Sequence, residues 1–281
     1  MDNVSRVEIL KFSSGKVERS PDWLVREEPL EIRVGFGGLE NRRQKSVSVT
    51  MRTPGNDPEL AAGFLFTEGI IQSPDDVLKM EYVSTFHKNS RQNILKAELA
   101  PTLEFDLQNL ERHFYTASGC GVCGKASIEA VFARDLPACP PMRPIFRAES
   151  LLEWPQKLLD GQKVFESTGG LHAAALFDTS GEVLSVREDI GRHNAVDKLI
   201  GAAFLEGRLP LSDCAIVVSG RAGFELVQKS VRAGIPVMVA VGAPSSLSFE
   251  LAQEAGMTLV GFARKGRFNV YSHPERIDFG A

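Results

Sequence analysis

The chain of 281 residues carries 32 Lys and Arg against 36 Asp and Glu, which gives a formal net charge of −4. This balance argues against a broad basic surface, so we expect no nucleic-acid partner. No apolar run approaches the ~20 residues that span a bilayer, and the first residues do not resemble a signal peptide. We therefore expect a cytoplasmic protein without membrane contact, long enough for one large or two modest domains.

The first part of the chain alternates strand-like runs with one clear helix. Val47, Val49 and Met51 recur at period two, which is typical of a half-buried strand. Pro58–Gly69 is predicted to be a helix, because proline opens it and glycine ends it. The predicted strands are Arg6–Ser13, Lys16–Glu18, Leu30–Gly35, Ser46–Arg52, Tyr82–Thr85 and Asn93–Leu99. A helix over Ala126–Arg134 is expected next.

The second half is more regular, with short apolar strands that alternate with helices. This order predicts a layered α/β domain with parallel strands. Four prolines between 137 and 144 indicate the boundary, so we expect a β-rich α+β region over 1–136 and an α/β cofactor-binding domain over 145–281. The predicted strands are Ala173–Phe177, Val183–Arg187, Ala215–Val218, Val237–Val241, Thr258–Phe262 and Phe268–Tyr271, and the predicted helices are Arg147–Leu159, His193–Glu206, Gly223–Ala233 and Leu247–Ala255.

Two small-residue loops follow predicted strands and precede predicted helices. The first contains Ser219, Gly220 and Arg221, and the second spans Val241–Ser246. Backbone N–H groups at such helix starts favour anions, and two neighbouring loops would suit a nucleotide. Neither loop matches the P-loop or the dinucleotide fingerprint. The alternative, that both are plain tight turns, stays open.

Further polar groups stand at the ends of predicted elements. Arg264–Arg267 places three cations around a glycine, either as a phosphate site or as a solvated turn. His172 and His193 could donate to a ligand or tune a thiolate, or could be structural. Asp189 could cap the helix that begins near His193. Asp197 and Lys198 could form an exposed helix pair, or Lys198 could face a ligand.

The pair Cys120 and Cys123, set among glycines, allows several kinds of chemistry. A structural zinc site needs four ligands, and the chain offers no second chelating pair. A zinc deaminase needs a glutamate two residues after its histidine, whereas His172 is followed by two alanines. A thioredoxin-like site would stand early in a compact βαβ domain. The reading that remains is a mobile thiolate that carries sulfur as a persulfide.

Several ordered motifs together resemble a known family. The string EDIGRHNAVDK over Glu188–Lys198 is the most specific of them. On these residues the chain resembles the FdhD/NarQ family of sulfurtransferase accessory proteins, which formate dehydrogenase activity requires. The other matching stretches are Gly119–Gly124, Thr168–Ala174, Ser219–Arg221 with Glu225–Val227, Leu65–Ile71 and Gly261–Tyr271.

The resemblance implies a reaction, partners and a fold. Family members take sulfur from a cysteine desulfurase and pass it to the Mo-bis(molybdopterin guanine dinucleotide) cofactor before insertion into the formate dehydrogenase apoenzyme. They are homodimers whose larger domain has a cytidine-deaminase-like layered α/β/α fold without that chemistry, beside a smaller β-rich α+β domain. GDP is the expected mimic of the bound cofactor, and no permanent metal is expected.

The resemblance also assigns residues. Cys120 corresponds to the persulfide-bearing residue, and Cys123 to its assisting or resolving partner. Ser219, Gly220, Arg221, His172 and His193, argued above, complete the expected cofactor site. A non-catalytic cofactor chaperone, and a zinc deaminase-like hydrolase, are the alternatives. The segment that corresponds to cofactor binding consists of Ala263, Arg264, Lys265, Gly266, Arg267 and Phe268.

Overall fold

A computed structural model describes residues 3–83, 93–103, 136–140 and 143–280. Cys120, Cys123 and the predicted helix Ala126–Arg134 lie outside the described residues. No helix in these described ranges is long and apolar enough to cross a membrane. The helices are α1 Asp57–Thr67, α2 Ala148–Asp160, α3 Lys163–Thr168, α4 Arg192–Leu205, α5 Phe224–Arg232 and α6 Ser246–Ala255.

The strands of the described residues form four sheets. Most predicted strands are found with bounds that differ by a few residues. The predicted strand Lys16–Glu18 continues to Val25, and the predicted strand Tyr82–Thr85 shares only Tyr82 with the observed strand Val77–Tyr82, while its last two residues lie outside the described ones. The short strands Phe146–Arg147 and Ile277–Asp278 and the helix α3 were not predicted. The strands are β1 Val4–Ser13, β2 Lys16–Val25, β3 Glu28–Phe36, β4 Arg43–Arg52, β5 Val77–Tyr82, β6 Ile94–Leu99, β7 Phe146–Arg147, β8 His172–Phe177, β9 Val183–Asp189, β10 Ala215–Val218, β11 Val237–Ala240, β12 Thr258–Arg264, β13 Arg267–Ser272 and β14 Ile277–Asp278.

The largest sheet has six strands in the order β13-β12-β11-β10-β8-β9. The parallel arrangement predicted for it holds only at the centre, where β10, β11 and β12 run in the same direction. The pairs β8–β9, β8–β10 and β12–β13 are antiparallel. Tight turns cause two of these reversals, because a strand that returns through a hairpin must pair antiparallel to its predecessor.

Helices cover both faces of this sheet. Alternate residues of a strand face opposite sides, and Leu176 and Ile216 belong to one buried cluster while Ala175 and Val217 belong to the other. The first cluster also contains the apolar residues of α4, α5 and α6, and the second contains those of α2, including Trp154. The mixed α/β class is therefore observed, and the cytidine-deaminase-like layering stays a prediction.

A four-stranded sheet of the first half, β4-β3-β6-β5, joins the same core through α1. Helices α1 and α4 cross at two glycines. A Cβ added to Gly63 would lie 1.8 Å from the Asp197 carbonyl oxygen, and one added to Gly201 would lie 1.8 Å from the Glu59 carbonyl oxygen. The two predicted regions thus share one hydrophobic core, and the division at 137–144 stays a prediction.

Candidate functional site

A cavity of about 1050 Å³ lies at the carboxyl edge of the central parallel strands. Ser219 follows β10, Val241 follows β11, and Ala263 is near the end of β12, so all three reach the same edge. His172 joins them because it begins β8, which runs antiparallel to β10. All four residues line the cavity. This is the position at which open α/β sheets bind ligands.

Backbone hydrogen bonds hold the loops at this edge together. The Gly242 N–H donates to the Gly220 carbonyl at 2.9 Å, and the Phe262 N–H donates to the Gly242 carbonyl at 3.0 Å. A Cβ on Gly242 would lie 2.9 Å from the Gly220 oxygen, so this close approach requires glycine. The predicted juxtaposition of the two small-residue loops is therefore found. Ser245 caps α6 by accepting from the Ser248 N–H, so that helix start is already satisfied.

His172 and Ser219 form the polar edge of the cavity. The Ser219 hydroxyl accepts from the Ala173 N–H at 2.9 Å, which fixes the loop against β8. A Cβ added to Gly220 would lie 3.5 Å from His172 Nδ1, so the loop passes directly beside the imidazole. Burial lowers the pKa of His172, and the charges of Arg192 and His193 add to this effect. This shift favours the neutral imidazole, which can both donate and accept a hydrogen bond.

Two cations stand at the mouth of the cavity. Arg264 and Lys265 line it and are exposed. Arg264 ends β12, and Lys265 begins the turn into β13, in which Gly266 has a φ of 82°. The cationic segment is therefore both a hairpin turn and part of the cavity wall. Its position leaves the two charges available to an anionic group of a ligand.

The remaining predicted site residues that the structure describes are not among those that line the cavity. His193 Nε2 is 3.0 Å from the Glu225 carboxylate, on the first turns of α4 and α5. Arg221 and Arg267 are exposed at the same edge of the sheet, and Phe268 packs against the core. The binding roles expected for these residues, and for Gly220 and Gly266, stay predictions.

The second wall of the cavity comes from α2, α3 and the segment that follows them. Sequence reasoning missed Gln162 and Phe165, because no motif surrounds them and α3 was not predicted. Gly161, at the end of α2, gave the only local signal of a change in chain direction. The lining residues from this side include Pro155, Leu158, Leu159, Gln162, Phe165 and Leu171.

Asp189 and Lys198 of the Glu188–Lys198 string form a buried ion pair. Lys198 Nζ lies 2.7 Å from the Asp189 carboxylate, with the two side chains 2% and 0% exposed. Asp189 also accepts from the Gly191 N–H and the Asn194 amide, each at 2.9 Å. Capping of α4 by Asp189 was wrong, since Gly191 is the N-cap and has no side-chain cap. Both predictions for Lys198, as an exposed residue and as a ligand contact, were wrong, because its buried ammonium group is bound by Asp189 and by the Thr53 carbonyl.

Comparison with known proteins gives the family of the chain. The sequence profile of the FdhD/NarQ family matches residues 25–278. The chain belongs to the FdhD/NarQ family. A sulfur carrier protein FdhD of Mycolicibacterium paratuberculosis is 50% identical over 281 residues, covering 99% of this chain and 100% of the relative. Another, of Sulfurisphaera tokodaii, is 40% identical and covers 98% of this chain and 99% of its own length.

A solved structure shares the family's fold. It is described as a candidate formate dehydrogenase accessory protein of Desulfotalea psychrophila, and its TM-score is 0.72 at 23% identity, covering 98% of this chain and 100% of that one. The family match includes every residue that lines the cavity, as well as Cys120 and Cys123. Almost all of the hairpin β1–β2 precedes the residues that match the family.

Proposed function

We propose that this protein is a sulfur carrier for formate dehydrogenase maturation. Cys120 accepts sulfur from a cysteine desulfurase, and the sulfur passes to the Mo-bis(molybdopterin guanine dinucleotide) cofactor, which the cavity binds as a substrate. The observation that carries the proposal is the cavity itself, which is lined by apolar side chains, the His172 imidazole and two cations. Its volume of about 1050 Å³ is at the upper end of the usual range for ligand sites and suits one dinucleotide arm.

The environments of the other two cysteines support the choice of Cys120. The chain has four cysteines, and both that the structure describes, Cys139 and Cys214, are buried. Burial raises the pKa of the Cys139 thiol to about 11 and that of Cys214 to about 12. The thiolate is the nucleophile, so neither thiol is suited to accept sulfur near pH 7. Cys120 and Cys123 are the remaining candidates.

The proposed transfer balances as thiol exchange. The Cys120 thiolate attacks the outer sulfur of the donor persulfide, a new S–S bond forms, and the donor cysteine leaves as a thiolate. When the Cys123 thiolate attacks the Cys120 sulfur, the outer sulfur leaves as hydrosulfide and a Cys120–Cys123 disulfide remains. A dithiol reductant then restores both thiols. Oxidation of the Cys120 and Cys123 thiolates to the disulfide therefore supplies the two electrons that sulfide release needs.

Mass spectrometry after incubation with a cysteine desulfurase and cysteine tests the proposal. We expect an adduct of one sulfur atom on the Cys120 peptide and none on the Cys139 or Cys214 peptides. Cys120→Ala should lose the adduct and fail to support formate dehydrogenase maturation, whereas the control Cys214→Ala should retain both. Full maturation by Cys120→Ala would refute sulfur transfer through this residue and favour a cofactor chaperone without thiol chemistry.

A further inference from the structure

The junction between α2 and α3 places a glutamine side chain in the cavity wall. The Gln162 N–H donates to the Leu159 carbonyl at 3.0 Å, and its own carbonyl accepts from the Glu166 N–H at 3.1 Å. The preceding Gly161 packs against β9, since a Cβ there would lie 2.8 Å from Val186 Cγ2. Gln162 is therefore held at a fixed position by its backbone and by its neighbour.

The side chain of Gln162 is buried but incompletely hydrogen-bonded. The residue is 4% exposed, and its Nε2 has no hydrogen-bond partner in the described part of the chain. Among the described residues, two other buried side-chain atoms share this property, Trp154 Nε1 and Ser230 Oγ, but neither residue lines the cavity. A buried amide donor without an acceptor is destabilising, and native proteins rarely keep one without a reason. Its place in the cavity wall indicates that a ligand supplies the acceptor.

The surroundings limit the chemistry of that acceptor. Phe165 and Leu171, in the same wall, offer apolar surface to a planar ring, while Arg264 and Lys265 at the mouth suit a phosphate. A carbonyl oxygen on the edge of a heterocycle would accept from the amide. The 2-amino-4-oxopyrimidine ring, which guanine and pterins share, has such a carbonyl. Beside it are N–H groups that can donate to the amide oxygen.

We propose that Gln162 is a specificity-determining residue that recognises the carbonyl edge of a 2-amino-4-oxopyrimidine ring bound in this cavity. The inference rests on the proposed function, because it uses the same cavity as the cofactor site. It goes further in assigning recognition of the ring to a residue outside the motifs. The cations at the mouth then bind the phosphates, and the amide selects the ring that is attached to them.

Binding measurements with paired ligands and paired variants test the inference. Gln162→Leu fills a similar volume without a donor, and Gln253→Leu is the matched control at an exposed position outside the cavity. The ligands are GDP and 2-aminopurine riboside diphosphate, which lacks the ring carbonyl and, with it, the N1–H. We expect Gln162→Leu to weaken GDP binding about tenfold, the effect of one lost hydrogen bond. It should leave binding of the analogue unchanged, and Gln253→Leu should bind both ligands as the wild type does.

A pterin probe distinguishes the two sources of the ring. If Gln162→Leu weakens 6-hydroxymethylpterin rather than GDP, the amide recognises the pterin end of the cofactor, and the inference stands. Equal losses for GDP and its carbonyl-free analogue would show a structural role and overturn it. Circular dichroism and thermal unfolding of the variant confirm that it is folded.

The same titrations separate this inference from the proposed function. If Lys265→Met weakens GDP binding while Gln162→Leu weakens neither GDP nor the pterin, the cofactor site stands and the role of Gln162 is wrong. If the wild-type protein binds neither GDP nor the pterin, the proposed cofactor site fails, and the inference fails with it.

Discussion

A buried ion pair at the centre of the molecule offers a direct test of the energetics. Lys229 Nζ on α5 lies 2.8 and 2.9 Å from the two carboxylate oxygens of Asp197 on α4, and the two side chains are 7% and 4% exposed. Thr67 of α1 contacts both side chains. Its hydroxyl donates to the Asp197 carboxylate at 3.0 Å and accepts from Lys229 Nζ at 2.8 Å. Glu68, 10% exposed at the end of α1, adds a second carboxylate 3.8 Å from Lys229 Nζ. Three helices from both halves of the chain therefore meet at this charged cluster.

Lys229→Met should be strongly destabilising. Methionine has nearly the length of lysine, so it leaves little cavity, but it leaves the Asp197 carboxylate buried without its cation. Breaking a buried pair in this way costs about 3–5 kcal/mol of unfolding free energy. The matched control is Lys79→Met. Lys79 pairs with Glu81 at 3.0 Å, but the side chains are 58% and 46% exposed, so we expect a loss below about 1 kcal/mol.

Urea denaturation followed by circular dichroism measures both losses. Burial raises the pKa of the Asp197 carboxyl, and the Lys229 ammonium opposes that rise. Without Lys229 the pKa rises further, so the folded state binds more protons than the unfolded state and stability falls as the pH rises. The deficit of Lys229→Met should therefore shrink towards acidic pH. A loss no larger than that of Lys79→Met, or a deficit that grows in acid, would refute the reasoning.

Two further predictions concern the helix crossing and the cavity. Gly63→Ala should lower the unfolding free energy by roughly 1–3 kcal/mol or more, because its Cβ would meet backbone. Gly38→Ala has nothing within 4 Å of the added carbon and should change the urea midpoint little; equal midpoints for the two variants would contradict the close approach. His172 has a lowered pKa, so its unfolded form binds more protons and stability should rise with pH up to about 6.5. His172→Asn should flatten that slope in urea midpoints measured across this range, and an unchanged slope would assign the acid sensitivity to other groups.

Much of the second half could be predicted from the sequence because its signals are local. Val237–Ala240 is short and wholly apolar, which is typical of a central parallel strand, and the helix after it begins at a serine cap. The directions of the outer strands could also have been derived. Thr179–Gly181 and Lys265–Gly266 are turns too short for a crossover, so the strands on either side must pair antiparallel.

The second wall of the cavity could not be predicted, because it depends on tertiary packing. Lys163–Thr168 is only six residues long, and helices of that length gain little from intrinsic propensity. Its position comes from contacts distant in sequence. The Glu188 carboxylate accepts from the N–H groups of Val164 and Phe165 at 3.1 and 2.9 Å, which satisfies the first turn of the helix. No periodic pattern around Gln162 indicates that these groups meet.

The position of the Glu188–Lys198 string also depends on tertiary contacts. Charged residues at a helix start are predicted to be exposed or to bind a ligand. In this structure Lys198 instead connects the cavity wall to the first half of the chain. The Thr53 carbonyl, just after β4, accepts from Lys198 Nζ at 2.9 Å, and the Thr53 hydroxyl accepts from the Ile190 N–H at 3.2 Å. Ile190 lines the cavity, and Lys198 is neutralised by Asp189. The wall of the cavity is therefore positioned by a strand that precedes the predicted boundary, so a site composed of second-half residues depends on both halves for its shape.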